Sequence, residues 1–401
     1  MRTVEDHRAA LLALVAPLAP VTVATAQAGG LVSAAPVVAR LDLPGFDNSA
    51  MDGYAVHAAD LHGPLPVRLP VIADIPAGDP RALHVPRGSA ARIMTGAPLP
   101  AEADAVVPVE DTDAGVSVVE IRARVAPGRH VRRRGEDVRA GEPVVATGTV
   151  LTPGALALVA AANVTSVRAH PRPRVALFST GDELIPLGDE PAPGQIVDSN
   201  QLMLAELVRA AGAELAHAGH LPDDAEAVRA LLADPPGAPD LVLTSGGVSM
   251  GAHDTVKEVL TATGTVEFVK VAMRPGMPQG AGTLGPRGIP VVTLPGNPVS
   301  SLVSFQVFVV PLLRRLAGRA GEPMLFEARA GARWASVGGK VEYTRVEVSG
   351  GVAVPSAGQG SHMLGALAGA NALAIVPASV TQVHPGDRVL CMPLLGAEAP
   401  R

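Results

Sequence analysis

The chain has 401 residues, of which 48% are hydrophobic and 17% are charged, and its formal net charge is −6. This length suggests roughly two to four globular domains, and the lack of a basic excess excludes a general nucleic-acid binder. The one cysteine, Cys391, excludes an internal disulfide and a zinc cluster held by several thiolates, so we expect a cytoplasmic protein that acts on small molecules.

The N-terminal stretch begins with a helical pattern over residues 4–15 and continues as proline-rich extended chain. Residues 9–27 are uncharged, but Glu5 and Asp6 precede this run and Pro17 and Pro20 interrupt it. Neither a secretion signal nor a membrane span is therefore expected.

The next segment, from residue 42 to about residue 125, contains short β-like runs separated by Gly and Pro, which predicts a small β-rich module. Residues 128–139 are rich in arginine, which indicates a solvated face or, alternatively, a site for a ligand phosphate. A helix is expected to begin at Pro153, with Thr152 as its N-cap.

Three short apolar runs follow, at residues 174–178, 241–243 and 291–294, and each ends at a small polar loop rich in Gly or Pro. Continuous apolar runs are typical of buried parallel strands, and helical crossovers make such strands point the same way. The loops at residues 179–183, 244–249 and 295–300 should therefore emerge along one edge of an open α/β sheet, where ligands of such sheets bind.

Helices are predicted between these strands, and the chain then returns to a β-like pattern. We expect Asn200 to cap a helix that Gly212 closes, Asp223 or Asp224 to open the next, Asp254 to open another, and a long apolar helix to follow Pro298. Alternation over residues 340–348 and a final strand at 388–392 predict a small C-terminal β-barrel.

The loop at residues 244–251 is suited to an oxyanion, because its glycines allow close backbone approach and direct amides at a ligand. A tight strand-to-helix turn explains the same glycines. Pro295 and Pro298 make the loop at 295–300 rigid, which favours a preformed wall, although a well-capped helix start would also contain Pro298 and a polar residue.

Carboxylates accumulate around these loops, and a site that combines phosphate with carboxylates favours Mg²⁺. Lys257 and Lys270 could neutralise charge that develops on an oxyanion. Each acid alone is equally explained as a helix cap or a solvated residue. The acids are Asp182, Glu183, Asp198, Asp223, Asp224 and Asp254.

Five segments taken together resemble the signature motifs of the molybdopterin molybdenumtransferase family, which includes bacterial MoeA and the gephyrin E domain. They are residues 47–55 (DNSAMDGYA), 134–137 (RGED), 179–184 (STGDEL), 245–249 (SGGVS) with Asp254, and 294–300 (LPGNPVS). The resemblance implies insertion of molybdate into adenylylated molybdopterin, with Mg²⁺-assisted release of AMP, and hence a role in molybdenum cofactor biosynthesis.

The resemblance also implies a multidomain α/β fold and an elongated homodimer, with each site between the sheet domain of one subunit and the β-rich insert of the other. A molybdopterin adenylyltransferase is a possible donor of the substrate, and neither nucleic acid nor membrane is an expected partner. The implied domains are a linking domain at 1–43 and 127–172, a β-rich insert at 44–126, an open-sheet domain at 173–320 and a C-terminal β-barrel at 321–401.

The resemblance also implies roles for individual residues at the positions that match the family's motifs. The resemblance assigns catalytic roles to Asp52, Asp137, Glu183, Asp223, Asp254, Lys270 and Arg274. It assigns metal binding to Glu183 and Asp254. It assigns substrate binding to Thr95, Ser245, Gly246, Gly247, Ser249, Pro295, Asn297, Pro298 and Ser300.

The segment at residues 270–278 departs from the usual family pattern, in which lysines often stand at the places of Arg274 and Met277. A guanidinium is a planar fork and not a point charge, and Met277 has no charge, so this segment bears on the affinity for molybdate or on its selectivity over other oxyanions. A second function, a gephyrin-like scaffold that keeps the fold and binds a partner, stays open at this point.

Overall fold

The structure, a computed structural model, describes residues 1–222, 224–248, 255–319 and 324–397. The chain forms two compact units. The first unit comprises Met1–Val21, Gly30–Val32 and His170–Arg401, and the second comprises Thr22–Gly29 and Ser33–Ala169.

The centre of the first unit is a six-stranded sheet, which confirms the predicted open α/β sheet. Its strand order is Glu214–Leu221, Arg174–Thr180, Leu241–Ser245, Ile289–Leu294, Pro278–Leu284 and Val266–Lys270. The first four strands are parallel, and the last two run antiparallel to their neighbours. The apolar runs are buried because helices cover both faces of the parallel part.

Four helices accompany this sheet, and they span Ser199–Ala210, Ala225–Ala233, Thr255–Ala262 and Pro298–Leu316. Asp224 caps the second of them through the N–H of Ala227, as predicted. The prediction that Asn200 caps the first helix is wrong. Asp198 is the N-cap and accepts the N–H of Gln201 at 3.0 Å, which leaves the amide of Asn200 free for another contact.

The helix Pro298–Leu316 is apolar and long enough to cross a membrane by composition, but 83% of its most apolar window is buried within the protein. Its middle turn, Phe305–Val309, is a π-helix. Phe305 and Phe308 are fully buried, and the N-terminal helix Val4–Ala13 contributes to the same core. The apolar surface of this helix is therefore used in packing.

The C-terminal part of the first unit is the predicted small barrel. Five strands close on themselves through a pairing between the first and the last. In order around the barrel they are Val341–Ser349, Val352–Pro355, Phe326–Ala330, Arg388–Pro393 and Ala372–Val376. Smaller elements of this unit are the strand pairs Leu184–Ile185 with Ile196–Val197 and Trp334–Ala335 with Gln382–Val383, and the helix Gly365–Ala368.

The second unit is rich in β-structure, as the sequence predicts for residues 42–125. Its main sheet has the order Ala105–Pro108, Gly53–Val56, Ala90–Ile93, Val67–Ile75 and Val118–Ile121. Shorter sheets join Val21–Ala24, Ser166–His170 and Val32–Ser33, then Val37–Val38 with Pro143–Val145, and Asn48–Ser49 with Val131–Arg132. The helix Pro153–Ala161 begins at the predicted cap, where Thr152 accepts the N–H of Ala155.

His7 predicts a pH dependence of stability. Its ring is 1% exposed, packs edge-on against Phe308 with the ring centroids 4.8 Å apart, and has no hydrogen-bond partner among the described residues. Burial, followed by the charge of Arg2, lowers the pKa of His7 from 6.5 to about 4. Between these two values the unfolded chain binds a proton that the folded chain does not, so the free energy of unfolding falls as the pH falls.

We expect the neutral variant His7→Leu to lose less stability than the wild type between pH 6.5 and pH 4. The difference should approach about 3 kcal/mol, at roughly 1.4 kcal/mol for each pKa unit, with no contribution above pH 6.5. Urea unfolding at several pH values measures it. Equal pH dependence in the two proteins would contradict the assignment.

Candidate functional site

A cavity of about 530 Å³ opens at the carboxyl ends of the parallel strands in the first unit. The three loops predicted to share this edge meet there. The lining residues are Thr180, Gly181, Asp182, Glu183, Gly246, Gly247, Val248, Thr255, Pro278, Pro295, Gly296, Asn297 and Ser300. The predicted convergence of the turns at Gly246 and Asn297 is therefore confirmed.

The first loop supplies the acids of the cavity, Asp182 and Glu183, which both line it. Gly181 has a φ of +138°, and a Cβ at this position would lie 2.5 Å from Oε2 of Glu183. The Glu183 carboxylate thus lies over Gly181, whose positive φ favours glycine. Its carbonyl accepts the N–H of Ile196 at 2.8 Å, so the backbone that carries the acid is fixed.

The second loop depends on the absence of a side chain at Gly246. This residue has a φ of +99°, and an added Cβ would lie 2.8 Å from Cγ2 of Thr180 and 3.0 Å from its carbonyl oxygen. The N–H of Gly246 donates to Leu294 at 2.9 Å, so it joins two loops and is not directed at a ligand. Among the described residues, the N–H groups of Gly247 and Val248 have no such acceptor, and both residues line the cavity.

The third loop lines the cavity through Pro295, Gly296, Asn297 and Ser300. Asn297 occupies the N-cap position of the helix Pro298–Leu316, but its side chain makes no capping bond. Its Nδ2 atom instead donates to Oγ of Ser361, 3.1 Å away. Pro298 begins the helix as predicted, and it is not one of the lining residues.

Asn200 ties the second loop to the third. This residue is 9% exposed, and its Nδ2 atom donates to Oγ of Ser245 at 2.8 Å and to the carbonyl of Gly296 at 2.6 Å. Ser245, predicted to bind substrate, uses its hydroxyl in this contact and does not line the cavity. The contact of Asn200 with these loops could not be predicted from the sequence, because a helix-capping pattern gives no information about a partner 45 residues away.

Residues 270–278, which we call the cation hairpin, carry Lys270 and Arg274 and include Pro278, which lines the cavity. Lys270 lies opposite Pro278, a lining residue, in an antiparallel register, and the N–H of Val271 donates to Met277 at 2.8 Å. Within the described residues, neither Lys270 nor Arg274 has an ion pair with a carboxylate.

Gly276 and Gln279 fix the cation hairpin to the wall of the cavity. Gly276 has a φ of +91°, and a Cβ there would lie 2.7 Å from Oγ of Ser304. Gln279 is buried, and its Nε2 atom donates to the Gly276 carbonyl at 2.7 Å and to Ser304 at 2.6 Å. The hairpin is thereby held against the helix whose first turn includes the lining residue Ser300.

A segment of the barrel also contacts the third loop, which no motif predicts. Arg345 is 1% exposed and donates to the carbonyls of Gly358, Gly360 and Met363 at 2.7, 3.1 and 2.9 Å. Burial lowers the pKa of this guanidinium. The segment that it holds includes Ser361, whose carbonyl accepts the N–H of Val299 at 3.1 Å and whose hydroxyl meets Asn297.

Three predicted site residues belong to the second unit. Asp52 accepts both the N–H and the hydroxyl of Thr95, at 2.7 and 2.8 Å, and these bonds hold the pKa of its carboxyl below the usual range. Asp137 is exposed. Two of the arginines in residues 128–139 form ion pairs: Arg133 with Asp47 at 2.6 Å, and Arg134 with Asp42 at 2.5 Å.

The predicted site residues thus fall into four groups. Glu183, Gly246, Gly247, Pro295, Asn297 and Ser300 line the cavity. Ser245 and Pro298 are next in the chain to lining residues, and Lys270 and Arg274 belong to the cation hairpin. Asp52, Thr95 and Asp137 are in the second unit. Asp223, Ser249 and Asp254 lie outside the described residues.

Family models match most of the chain. They are the MoeA N-terminal region (domain I and II) at residues 2–163, the probable molybdopterin binding domain at 176–315, and the MoeA C-terminal region (domain IV) at 327–394.

Individual proteins of this family also align with nearly the whole chain. Molybdopterin molybdenumtransferase 2 of Mycobacterium tuberculosis is 45% identical over 97% of this chain and 98% of its own length. A molybdopterin molybdenumtransferase of Nostoc is 39% identical over 92% of this chain and 87% of its own length. The solved structure of a molybdopterin biosynthesis MoeA protein from Pyrococcus horikoshii is 32% identical, with a TM-score of 0.82 over 98% of this chain and 99% of that one.

The contact of Asn200 with both loops predicts that Asn200→Ala loosens the cavity. Removing the amide breaks its hydrogen bonds to the Ser245 hydroxyl and to the Gly296 carbonyl, which should cost about 1 kcal/mol of stability. Hydrogen exchange should become faster at residues 245–248 and 295–297. Gln201→Ala is the control, since the Gln201 amide bonds to Ser179 and Gly219 instead. Equal exchange at these loops in both variants would refute the role of Asn200.

Proposed function

The chain belongs to the molybdopterin molybdenumtransferase family, and we propose that it acts in molybdenum cofactor biosynthesis by inserting molybdate into adenylylated molybdopterin with release of AMP. The observation that carries this proposal is the cavity at the sheet edge. It combines two carboxylates and a glycine turn, and the cation hairpin lies beside it. Cleavage of a phosphoric anhydride depends mainly on positioning and on stabilising negative charge, and these groups do both.

Within this proposal, the backbone at residues 247–248 binds the substrate phosphate. The N–H groups of Gly247 and Val248 have no acceptor among the described residues and belong to the cavity lining. Gly246 allows the phosphate to approach the backbone, since a side chain there would collide with Thr180. The rigid loop from Pro295 to Ser300 positions the pterin-bearing part of the substrate against this turn.

Magnesium is part of the proposal, and the donors in the cavity suit it. Asp182 and Glu183 offer carboxylate oxygens, the ligands that Mg²⁺ prefers. The described residues contain no group of three or more possible metal ligands, and Asp254, the second proposed ligand, lies outside them. A bound Mg²⁺ would supply positive charge to the anhydride oxygens. Glu183 would hold the ion, and the hydrogen bond from Ile196 to its carbonyl fixes the backbone from which its carboxylate extends.

Lys270 and Arg274 are the proposed contacts of molybdate, which is a doubly charged tetrahedral substrate. Within the described residues, neither side chain forms an ion pair with a carboxylate. Gln279 anchors their hairpin to Ser304, which fixes the backbone that carries these two exposed cations. Such preorganised charge stabilises an anion without the cost of reorientation.

We further propose that the active form is a homodimer. In this arrangement Asp52, Thr95 and Asp137 of one subunit complete the cavity of the other, as the family resemblance implies. The Asp52–Thr95 pair supports the proposal, because these hydrogen bonds keep an exposed carboxylate ionised and oriented. The adenylylated substrate would come from a molybdopterin adenylyltransferase, and the reducing cytoplasm suits a chain with a single cysteine.

Glu183→Gln tests the proposed metal and substrate site. With Mg²⁺, molybdate and adenylylated molybdopterin, the variant should release AMP at least about a hundredfold more slowly than the wild type, because one charged group of the reaction centre is lost. The melting temperature should stay unchanged. Glu190→Gln, an exposed acid on the same connection, is the matched control and should keep full activity. Full turnover in Glu183→Gln would contradict the site assignment. A wild-type protein that releases no AMP would favour the scaffold function.

Subunit mixing tests the proposed dimer. Asp52→Ala and Glu183→Ala should each be inactive alone, since each spoils both sites of its dimer. After dissociation and random re-pairing, about a quarter of the wild-type activity should return, because half of the dimers are mixed and each mixed dimer has one intact site. No recovery, despite exchange of subunits shown by native mass spectrometry, would mean that both residues act within one chain.

A further inference from the structure

The chain contains only three lysines, Lys257, Lys270 and Lys340, among its 32 basic residues. Lys270 belongs to the cation hairpin, and Lys340 comes from the barrel, 70 positions later in the sequence. The structure brings Lys340 to the same hairpin. Its Nζ atom lies 3.5 Å from Sδ of Met277.

Strand pairing places Lys340 next to the cation hairpin. Residues Met273–Arg274 add to the barrel strand Val341–Ser349 in a parallel register, with Met273 opposite Val341. The N–H of Val341 donates to the carbonyl of Ala272 at 2.9 Å. Lys340 directly precedes this strand, so backbone hydrogen bonds, and not a flexible loop, place it against the hairpin.

Lys340 has no carboxylate partner in the part of the chain that the structure describes. The nearest acid in sequence, Glu342, is 7% exposed and accepts hydrogen bonds from the Ser336 hydroxyl at 2.8 Å and the Val337 N–H at 2.9 Å. A thioether is a weak acceptor, so the contact with Met277 leaves the charge of Lys340 uncompensated. The lysine is half-buried, which reduces screening of that charge by solvent.

We propose that Lys340 is the third cation of the oxyanion site, acting with Lys270 and Arg274 on the bound molybdate. The proposal rests on the proposed function and adds to it a residue from the barrel. Met277 carries no charge, so the ammonium of Lys340 supplies positive charge at that part of the hairpin. Pro278, which follows Met277 in the sequence, lines the cavity. Lys270 and Arg274 on the hairpin and Lys340 beside it lack carboxylate partners among the described residues, and together they form a positive field that a dianion would neutralise.

Kinetics with molybdate as the varied substrate test the proposal. We expect Lys340→Gln to raise the KM for molybdate about tenfold and to weaken molybdate binding in equilibrium dialysis to a similar extent, with a much smaller change in kcat. Lys340→Arg should retain most of the affinity, because the charge remains. Arg329→Gln is the control, since it removes an exposed charge from a different strand of the same barrel.

A charge-exchange variant distinguishes the loss of a positive charge at this contact from a general disturbance of the fold. Met277→Lys combined with Lys340→Met moves the ammonium across the contact, and it should restore the affinity for molybdate that Lys340→Met alone loses. If Lys340→Gln binds molybdate as the wild type does, Lys340 has no role in the site. If the wild type binds molybdate but releases no AMP, the proposed function fails while the dialysis still decides the role of Lys340.

Discussion

The close contact between the turns at Thr180 and Gly246 is the constraint on which the candidate site depends. Parallel strands place their carboxyl ends along one edge, but the loops that leave them form a cavity only if their backbones can approach each other. Gly246 makes this possible, because any side chain there would overlap Thr180. Its N–H then binds Leu294, so one residue joins all three loops.

The charges of the site are divided between its walls. Asp182 and Glu183 lie on the loop after the first buried strand. Lys270 and Arg274 lie on the cation hairpin, which is held against the helix Pro298–Leu316, and Lys340 contacts this hairpin from the barrel. Ion pairs would cancel these charges, and the described residues show none involving the three cations. Separation therefore keeps both signs of charge available, as the proposed phosphate-bearing substrate and molybdate require.

Much of the fold and part of the site could be predicted, because buried parallel strands, helix caps and glycine turns leave local patterns in the sequence. The strand-end loops and the caps at Thr152 and Asp224 are of this kind. Asn200 was misassigned because an asparagine near a helix start favours a cap, whereas its partners Ser245 and Gly296 become neighbours only in the folded chain. The contact of Lys340 with Met277 requires a strand register that no local pattern encodes.

Through the buried guanidinium of Arg345, the barrel supports one side of the cavity at the sheet edge. The guanidinium secures three carbonyls of a segment whose Ser361 braces Asn297, so a packing change inside the barrel would shift a wall of a pocket built by another part of the chain. Natural variation in the barrel could therefore tune turnover without altering any group that meets the substrate.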